Sequence, residues 1–138
     1  MSKDQECTPE LLNGFLKAQF PQIQSLPQVE AIENGEVHLR TPFQERNLRP
    51  GGTISGPVMM ALADTTAYMA IVAHLGDAVM AVTSNLNIHF LRRPPPEDLT
   101  AIGRIRHIGR RSAVVIVEIY SKGSDRAVAH ATVSYALP

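Results

Sequence analysis

The sequence predicts an α+β fold in which an antiparallel β-sheet is wrapped around one long central helix. Two observations lead to this prediction. Residues 56–75 form one continuous run rich in Ala, Met and Leu, longer than an ordinary strand. Two strand-like segments precede this run and four follow it, with short turns between the four. Consecutive strands joined by short turns form an antiparallel sheet, and an apolar helix is what its buried face would cover.

The first element is predicted to be a short amphipathic helix. Thr8 is a candidate N-cap, Pro9 stands at the first helical position, and the helix must end before Pro21. We assign residues 1–21 to a helical extension of a single domain that spans residues 1–138. The apolar side chains that share one face of this helix are Leu11, Leu12, Phe15 and Leu16.

A hairpin and a loop follow the first helix. In the segment QVEAIENGEVHLRT, Asn34 and Gly35 stand between two short alternating runs. An Asn-Gly pair in this setting is the strongest local signal for a two-residue β-turn. Residues 42–52 are polar and contain Pro and Gly, which predicts a loop.

The long apolar run predicts a central helix from Gly56 to Leu75. Ser55 is its N-cap candidate, Pro57 lies near its first position, and Gly76 would end it. At 1.5 Å per residue the helix would be about 30 Å long, the diameter of a small domain. Its apolar residues point in nearly all directions, so we expect it to be wrapped on most sides.

Four strand-like runs come after the central helix, at residues 79–91, 99–107, 112–120 and 126–135. The first run alternates between apolar and polar residues, which predicts one core face and one polar face. Small alanines at alternate positions of the last run suit a strand that a helix approaches closely. The apolar residues of the first run are Met80, Val82, Leu86, Ile88 and Phe90.

Composition and charge exclude several classes of function. Thirteen basic and thirteen acidic residues cancel, so no net positive field would draw the chain to nucleic acid or to an anionic membrane. The segment MSKDQECTPE lacks the apolar core of a signal peptide, and polar residues interrupt the longest apolar run, so we expect a soluble cytoplasmic protein. A single cysteine and five scattered histidines offer no disulfide and no zinc-ligand spacing.

One carboxylate, that of Asp64, lies within the apolar central helix. Burying a charge is costly unless the group is paired, neutralised or used. From the residues alone, two interpretations stay open. Asp64 is either on a solvated face of the helix or a functional acid.

The order of elements and the segments RPGGTISGPVMMALADT and VTSNLNIHFLRRP resemble the hot-dog-fold acyl-CoA thioesterases of the PaaI-like group. That group carries Asn-Pro-x-Gly-x-x-His-Gly-Gly at the entrance to its central helix, then a catalytic Asp or Glu inside the helix. The resemblance covers about residues 27–138 and implies a hot-dog fold. Its spacing from helix entrance to acid is kept, because the first glycine of the pair falls on Gly56 and the acid on Asp64.

Three positions of the motif depart from the family pattern. Arg49 stands in place of the asparagine, Ser55 in place of the histidine, and Pro57 in place of the second glycine. Proline offers no N–H, but it is well tolerated in a first helical turn. Arg49 and Ser55 still carry hydrogen-bond donors that could meet a thioester.

The resemblance implies an acyl-CoA thioesterase that needs no metal or redox cofactor, with coenzyme A as part of its substrate. Asp64 would activate water or attack as a nucleophile, and the Gly56 N–H would stabilise the oxyanion. In relatives that activate water, a Ser or Thr on the next strand holds that water, and Thr83 occupies this position, which favours water activation. We assign five residues to substrate binding: Arg49, Ser55, Thr65, Tyr68 and Arg92.

The spacing of the two catalytic groups predicts a dimer. Gly56 and Asp64 are eight positions apart, hence about 12 Å along one helix, so one thioester carbon cannot touch both. Two antiparallel central helices across a two-fold axis would bring the end of one to the middle of the other. We therefore expect a homodimer, and the resemblance implies pairing of dimers into a tetramer.

Two other functions remain open at this point. Ser55 and Arg49 are compatible with a module that binds acyl-CoA without hydrolysing it. A hot-dog hydratase or dehydratase would use an Asp/His or His/Glu pair, and Ser55 stands where such a histidine is expected. The second alternative is therefore the weaker one.

Overall fold

The computed structural model describes residues 7–76 and 78–138. The first half contains helix α1 (Pro9–Gln19), strands β1 (Gln28–Glu33) and β2 (Glu36–Thr41), a 3₁₀ turn (Glu45–Asn47), strands β3 (Leu48–Arg49) and β4 (Thr53–Ile54), and helix α2 (Gly56–Leu75). The second half contains strands β5 (Val82–Phe90), β6 (Leu99–Ile108), β7 (Ser112–Ser121) and β8 (Ala127–Ala136). Six strands form one antiparallel sheet in the order β1-β2-β6-β7-β8-β5, and β3 pairs only with β4.

Helix α1 has the predicted start and packs on the edge of the sheet. The Thr8 hydroxyl accepts a hydrogen bond from the Leu11 N–H at 3.2 Å, and Leu12 and Leu16 are fully buried. The Asn13 side chain exchanges two hydrogen bonds with the backbone of Val29 in β1, at 2.8 and 3.0 Å. Asn13 thus fixes the helix against the first strand.

The hairpin predicted from Asn34 and Gly35 is confirmed. Both residues have positive φ, 51° and 78°, as a type I′ turn requires. The turn joins β1 to β2, which pairs in turn with β6.

The bounds predicted for α2 are also confirmed. Gly76 follows the helix with φ of 81°, and its N–H donates to the Val72 carbonyl at 2.7 Å. Ser55 stands at the N-cap position, but its side chain makes no capping hydrogen bond. Length and composition would let α2 cross a membrane, yet 56% of its apolar window is buried in the fold, as in a core helix.

The sheet approaches α2 closely at Gly103 of β6. A Cβ atom at this position would lie 2.8 Å from Cγ2 of Thr66, a distance that real Cβ atoms do not tolerate. Thr66 is fully buried, and its hydroxyl donates to the Leu62 carbonyl at 2.7 Å. Residues 66–72 of α2 are therefore enclosed, whereas Met60 and Ala61 in its first half are exposed.

Two sequence predictions need correction, and the first concerns β5. This strand begins at Val82 rather than at residue 79, and its expected core face is wrong, because Val82 is 60% exposed and Phe90 49%. β5 is an edge strand of the sheet and, within the described residues, pairs with β8 alone, and a register shift between Thr83 and Asn85 interrupts the alternation. Only Leu86 and Ile88 of its apolar residues are partly buried.

The second correction concerns residues 42–52, which were expected to be a plain loop. They contain the 3₁₀ turn and β3, which pairs with β4 immediately after them, and Gly51 and Gly52 have φ of 99° and 76°. Asp98 anchors the start of this segment, because one carboxylate oxygen accepts from the Phe43 N–H at 2.7 Å and the other meets Arg40 at 3.1 Å. The bond from Phe43, and then Arg40, hold the pKa of Asp98 below its usual value against the opposing effect of burial.

Candidate active site

Asp64 accepts two short hydrogen bonds on one carboxylate oxygen. The Thr83 hydroxyl and the Tyr135 hydroxyl each lie 2.7 Å from Oδ1, and the Tyr135 hydroxyl is 3.2 Å from the Asp64 carbonyl oxygen. Within residues 7–76 and 78–138, no side-chain or backbone donor bonds to Oδ2. The carboxylate is thus held by one oxygen, and the other is free for a ligand. We call Asp64, Thr83 and Tyr135 the carboxylate cluster.

Strand pairing brings the two hydroxyls together. Thr83 of β5 and Tyr135 of β8 are direct partners in the antiparallel register. Residues directly opposite each other project from the same face of a sheet, so both side chains point toward α2. The helix supplies the acid, and the sheet supplies the two donors.

Tyr135 is held in place by aromatic packing. Its side chain is only 4% exposed, and its ring stacks on Tyr68 with the centroids 5.7 Å apart. Tyr68 also contacts Phe15 and Phe20 of the N-terminal segment and donates its hydroxyl to the Val79 carbonyl at 2.9 Å. Burial, followed by the neighbouring Asp64 carboxylate, raises the pKa of Tyr135 although Thr83 opposes the shift. Tyr135 therefore stays protonated and acts as a donor.

A cavity of about 230 Å³ adjoins the carboxylate cluster. Four of its lining side chains are polar or aromatic with a polar tip, namely Asp64, Thr65, Tyr68 and Tyr135, and the others are apolar. A mostly apolar cavity with a few placed polar groups is typical of a small-molecule site. The apolar lining residues are Leu16, Phe20, Ile23, Leu26 and Ala61.

A second group of residues surrounds the start of α2. Gly56 lines a cavity of about 300 Å³ together with Arg49, Arg92 and Arg93, and we call these four residues the helix-end cluster. The described chain places no acceptor on the Gly56 N–H, which lies at the end of the helix that favours negative charge. Phe90 covers this glycine, since a Cβ there would lie 3.3 Å from the Phe90 ring.

All the predicted site residues except Ser55 lie at one of these two places. Thr65 and Tyr68 line the cavity at Asp64, and Arg49 and Arg92 line the cavity at Gly56. Ser55 lines neither cavity, and its N–H donates to the Asn47 carbonyl at 2.9 Å. The other two predicted residues, Asp64 and Thr83, belong to the carboxylate cluster. Within one chain, the Asp64 carboxylate and Gly56 therefore lie at separate places.

Sequence reasoning missed Tyr135. A signal for it was available, because Tyr135 continues the alternation that buries Ala129, Ala131 and Val133 on one face of β8. A tyrosine on a buried face usually finds a hydrogen-bond partner for its hydroxyl.

Among residues 7–76 and 78–138, no three His, Cys, Asp or Glu side chains are grouped to hold a metal ion.

The family profile named "Thioesterase superfamily" matches residues 51–134, more than half of the chain. The match includes Gly56, Asp64 and Thr83. It ends one residue before Tyr135.

Two relatives carry names that refer to esterases. "Putative esterase TV1331" of Thermoplasma volcanium is 32% identical over 109 residues, which are 79% of this chain and 77% of that protein. "Putative esterase SSO2140" of Saccharolobus solfataricus is 32% identical over 94 residues, 68% of this chain. The second match spans 65% of that relative's length, slightly less than two thirds.

Solved structures have the same fold. A crystal structure described as that of a putative thioesterase from Silicibacter sp. TM1040 is 38% identical, with a TM-score of 0.86 over 100% of this chain and 96% of that one. The PaaI protein from the phenylacetic acid degradation operon of E. coli is 20% identical, with a TM-score of 0.78 over 96% of each chain, and supports the fold alone. This chain therefore belongs to the thioesterase superfamily and has the hot-dog fold of its PaaI-like members.

Proposed function

We propose that this protein is an acyl-CoA thioesterase in which Asp64 is the general base. The observation that carries the proposal is the arrangement of the carboxylate cluster. Two hydroxyl donors fix Oδ1, and Oδ2 is left for water beside a mostly apolar cavity. A positioned base next to an acyl-sized cavity is what thioester hydrolysis requires.

The proposed reaction begins with a water molecule that donates one proton to Oδ2 of Asp64. Its oxygen attacks the thioester carbonyl carbon, and the carbonyl electrons move to the oxygen, where an N–H donor stabilises the charge. The intermediate then reforms the carbonyl and breaks the carbon–sulfur bond. The proton held by Asp64 passes to the thiolate, so thioester and water become a carboxylic acid and free coenzyme A.

Thr83 takes two roles in this proposal. Its hydroxyl hydrogen is directed at Asp64, so it orients the acid instead of donating to the water. Its oxygen retains a lone pair that can accept from the water. This arrangement favours water activation over direct attack by the carboxylate, because the attacking water can donate one hydrogen bond to Oδ2 of Asp64 and the other to the Thr83 oxygen.

The oxyanion donor in this proposal comes from a second copy of the chain. α2 is one unbroken helix, so Gly56 and Asp64 of one chain lie about 12 Å apart along its axis. Several apolar side chains near both clusters are exposed, including Met60, Val82 and Phe90. A homodimer that covers them and pairs the two α2 helices would create two equivalent sites. The pairing of dimers into a tetramer stays a prediction.

The three arginines of the helix-end cluster suit the anionic part of coenzyme A. Arg49, Arg92 and Arg93 line one cavity, and guanidinium groups bind phosphate oxygens with paired hydrogen bonds. We place Ser55 beside this group as a further hydroxyl near the thioester. We also keep the cytoplasm as the proposed compartment, since a single cysteine fits a reducing environment.

The first experiment measures release of free thiol from short, medium-length and aromatic acyl-CoAs. Wild-type protein should release thiol, and Asp64→Asn should not. Tight binding by calorimetry with no release would instead identify a binding module. Loss of ultraviolet absorbance from an enoyl-CoA without thiol release would identify a hydratase.

A mixing experiment tests whether the site is shared. Asp64→Asn and Gly56→Pro chains, unfolded together and refolded, should form mixed dimers that hold one intact Gly56–Asp64 site. Random pairing makes half of the dimers mixed, so activity should recover to about one quarter of wild type. No recovery, with dimers present by light scattering, would show that each chain works alone.

A further inference from the structure

Two cavities lie side by side under the segment that joins α1 to β1. The cavity at Asp64 adjoins a second cavity of about 400 Å³. Ala61 and Thr65 are one turn apart on α2, so the same face of the helix runs along both cavities. The residues that line both are Ile23, Leu26, Ala61 and Thr65.

Hydrogen bonds fix residues 21–27, the segment that covers the cavity of about 400 Å³. The Ser25 hydroxyl oxygen accepts from Nε2 of Gln44 at 3.2 Å and from Nη2 of Arg46 at 2.6 Å. Both donors lie in the segment before β3, on the far side of the cavity. These contacts hold residues 21–27 over α2, so the space beneath them is a defined compartment.

We propose that the acyl chain of the substrate extends from the cavity at Asp64, past Ala61, into the cavity of about 400 Å³. Ala61 would then determine specificity for linear acyl chains of medium length. The inference rests on the proposed thioesterase function. Ala61 is the smallest side chain shared by the two cavities, and it lies between Asp64 and Val58 on the helix. Val58 and Leu62 supply apolar contact beyond it, while other parts of the lining are polar, including Gln24, Gln28, Gln44 and Arg46.

The length of the compartment selects the chain length. Asp64 and Val58 are six positions apart, about 9 Å along α2. An extended chain advances about 1.25 Å per bond, so about seven carbons beyond the thioester are needed to reach Val58. Acyl groups of roughly eight to twelve carbons should therefore use both cavities, whereas a butyryl group stays in the first.

The test compares kcat/KM for butyryl-, octanoyl-, dodecanoyl- and benzoyl-CoA. Each methylene that is buried against the apolar residues of the two cavities should raise kcat/KM of the wild type by up to about threefold to fourfold. Ala61→Phe should lower the dodecanoyl-to-butyryl ratio by about tenfold or more, because its ring fills the passage. Val58→Phe, at the far end, should lower the dodecanoyl-to-octanoyl ratio and provides a second variant if Ala61→Phe unfolds.

The matched control is Ala18→Phe, which places the same ring on the exposed face of α1, away from both cavities. It should leave the dodecanoyl-to-butyryl ratio at the wild-type value. An equal ratio in wild type and Ala61→Phe, or a wild-type preference for benzoyl-CoA, would overturn the inference.

A binding experiment tests this inference independently of the proposed reaction. It uses S-dodecyl- and S-butyl-coenzyme A, which are thioethers and cannot be hydrolysed. Calorimetry should show tighter binding of the dodecyl compound to wild type and loss of that preference in Ala61→Phe. Preserved chain-length dependence without any thioester turnover would refute hydrolysis and support the acyl path. Equal affinities of the two thioethers for wild type would refute the path whatever the turnover.

Discussion

The carboxylate cluster and the helix-end cluster differ in how firmly the fold holds them. Asp64 is fixed by two hydrogen bonds of 2.7 Å, and one of its donors, Tyr135, is buried and stacked. Arg92 and Arg93 are exposed, and the part of the chain that is described gives neither a carboxylate partner. Among the described residues, Arg92 donates to the Ala127 carbonyl alone, at 3.0 Å.

In the proposed site, this difference separates the Asp64 carboxylate, which performs the chemistry, from the three arginines of the helix-end cluster, which bind substrate; Gly56 of that cluster takes part in the chemistry. Proton transfer requires a base that is positioned within a fraction of an ångström. The two hydroxyls that position Asp64 accordingly belong to paired strands. A flexible polyanion tolerates mobile cations, because the attraction between charges falls slowly with distance. Changes in the carboxylate cluster should therefore act on kcat, and changes at the arginines should act on KM.

The largest effect is expected for Asp64→Asn. The amide keeps the size of the carboxylate but cannot take a proton, so kcat should fall by about 10³-fold with little change in KM. Release of free thiol from a medium-chain acyl-CoA measures this change. The conservative control is Asp64→Glu, which keeps a base and should retain more activity than the asparagine variant. Turnover by Asp64→Asn at the wild-type rate would remove Asp64 from the mechanism.

Gly56→Pro should have the next largest effect, because it removes the proposed oxyanion donor from the helix-end cluster. Proline fits the first helical turn, so the fold should persist while kcat falls by about 10²-fold to 10³-fold. Gly56→Ala is the matched control, since it keeps the N–H and its Cβ displaces only the half-exposed Phe90 ring. Equal loss in both variants would point to steric damage instead of a missing donor.

Tyr135→Phe tests how the carboxylate cluster is held. The variant keeps the ring stack on Tyr68 and removes one hydrogen bond to Asp64, so we expect kcat to fall by about tenfold at nearly constant KM. Thr83→Val should have a similar effect through the same oxygen, and Thr83→Ser should restore most of the activity. A loss of thermal stability with unchanged kcat would make Tyr135 a structural residue only.

Local sequence signals predicted most of the fold, and long-range pairing explains what they missed. Thr8, Asn34-Gly35 and Gly76 act on their own neighbours, so the ends of α1, the hairpin and α2 follow from the sequence. Tyr135 meets Asp64 across 71 positions, through a register that no local pattern encodes. The exposed face of β5 was missed for the same reason, because it depends on the order of strands in the sheet.

A smaller effect is expected at the helix-end cluster from Arg92→Gln. Loss of one exposed cation should raise KM for an acyl-CoA several-fold and leave kcat unchanged. The dependence of KM on salt should also weaken, because screening acts on the charge that was removed. Arg126→Gln, an exposed arginine outside the cavity at Gly56, is the control and should leave KM unchanged. A fall in kcat for Arg92→Gln would contradict the assignment of the arginines to binding alone.

The smallest effect is expected from Asp98→Asn, which loosens the segment that leads to the helix-end cluster. The lowered pKa of Asp98 means that its charge stabilises the fold above the usual value of 3.8, and that this stability is lost as pH falls through the lower folded value. The variant should therefore lose about 1 kcal/mol at pH 7, a few degrees in Tm, and approach wild type in strong acid. Glu97→Gln, next to it and exposed, should change Tm little at either pH. Because the segment from Phe43 to Gly56 carries Arg49 but none of the carboxylate cluster, any kinetic change in Asp98→Asn should appear in KM before kcat.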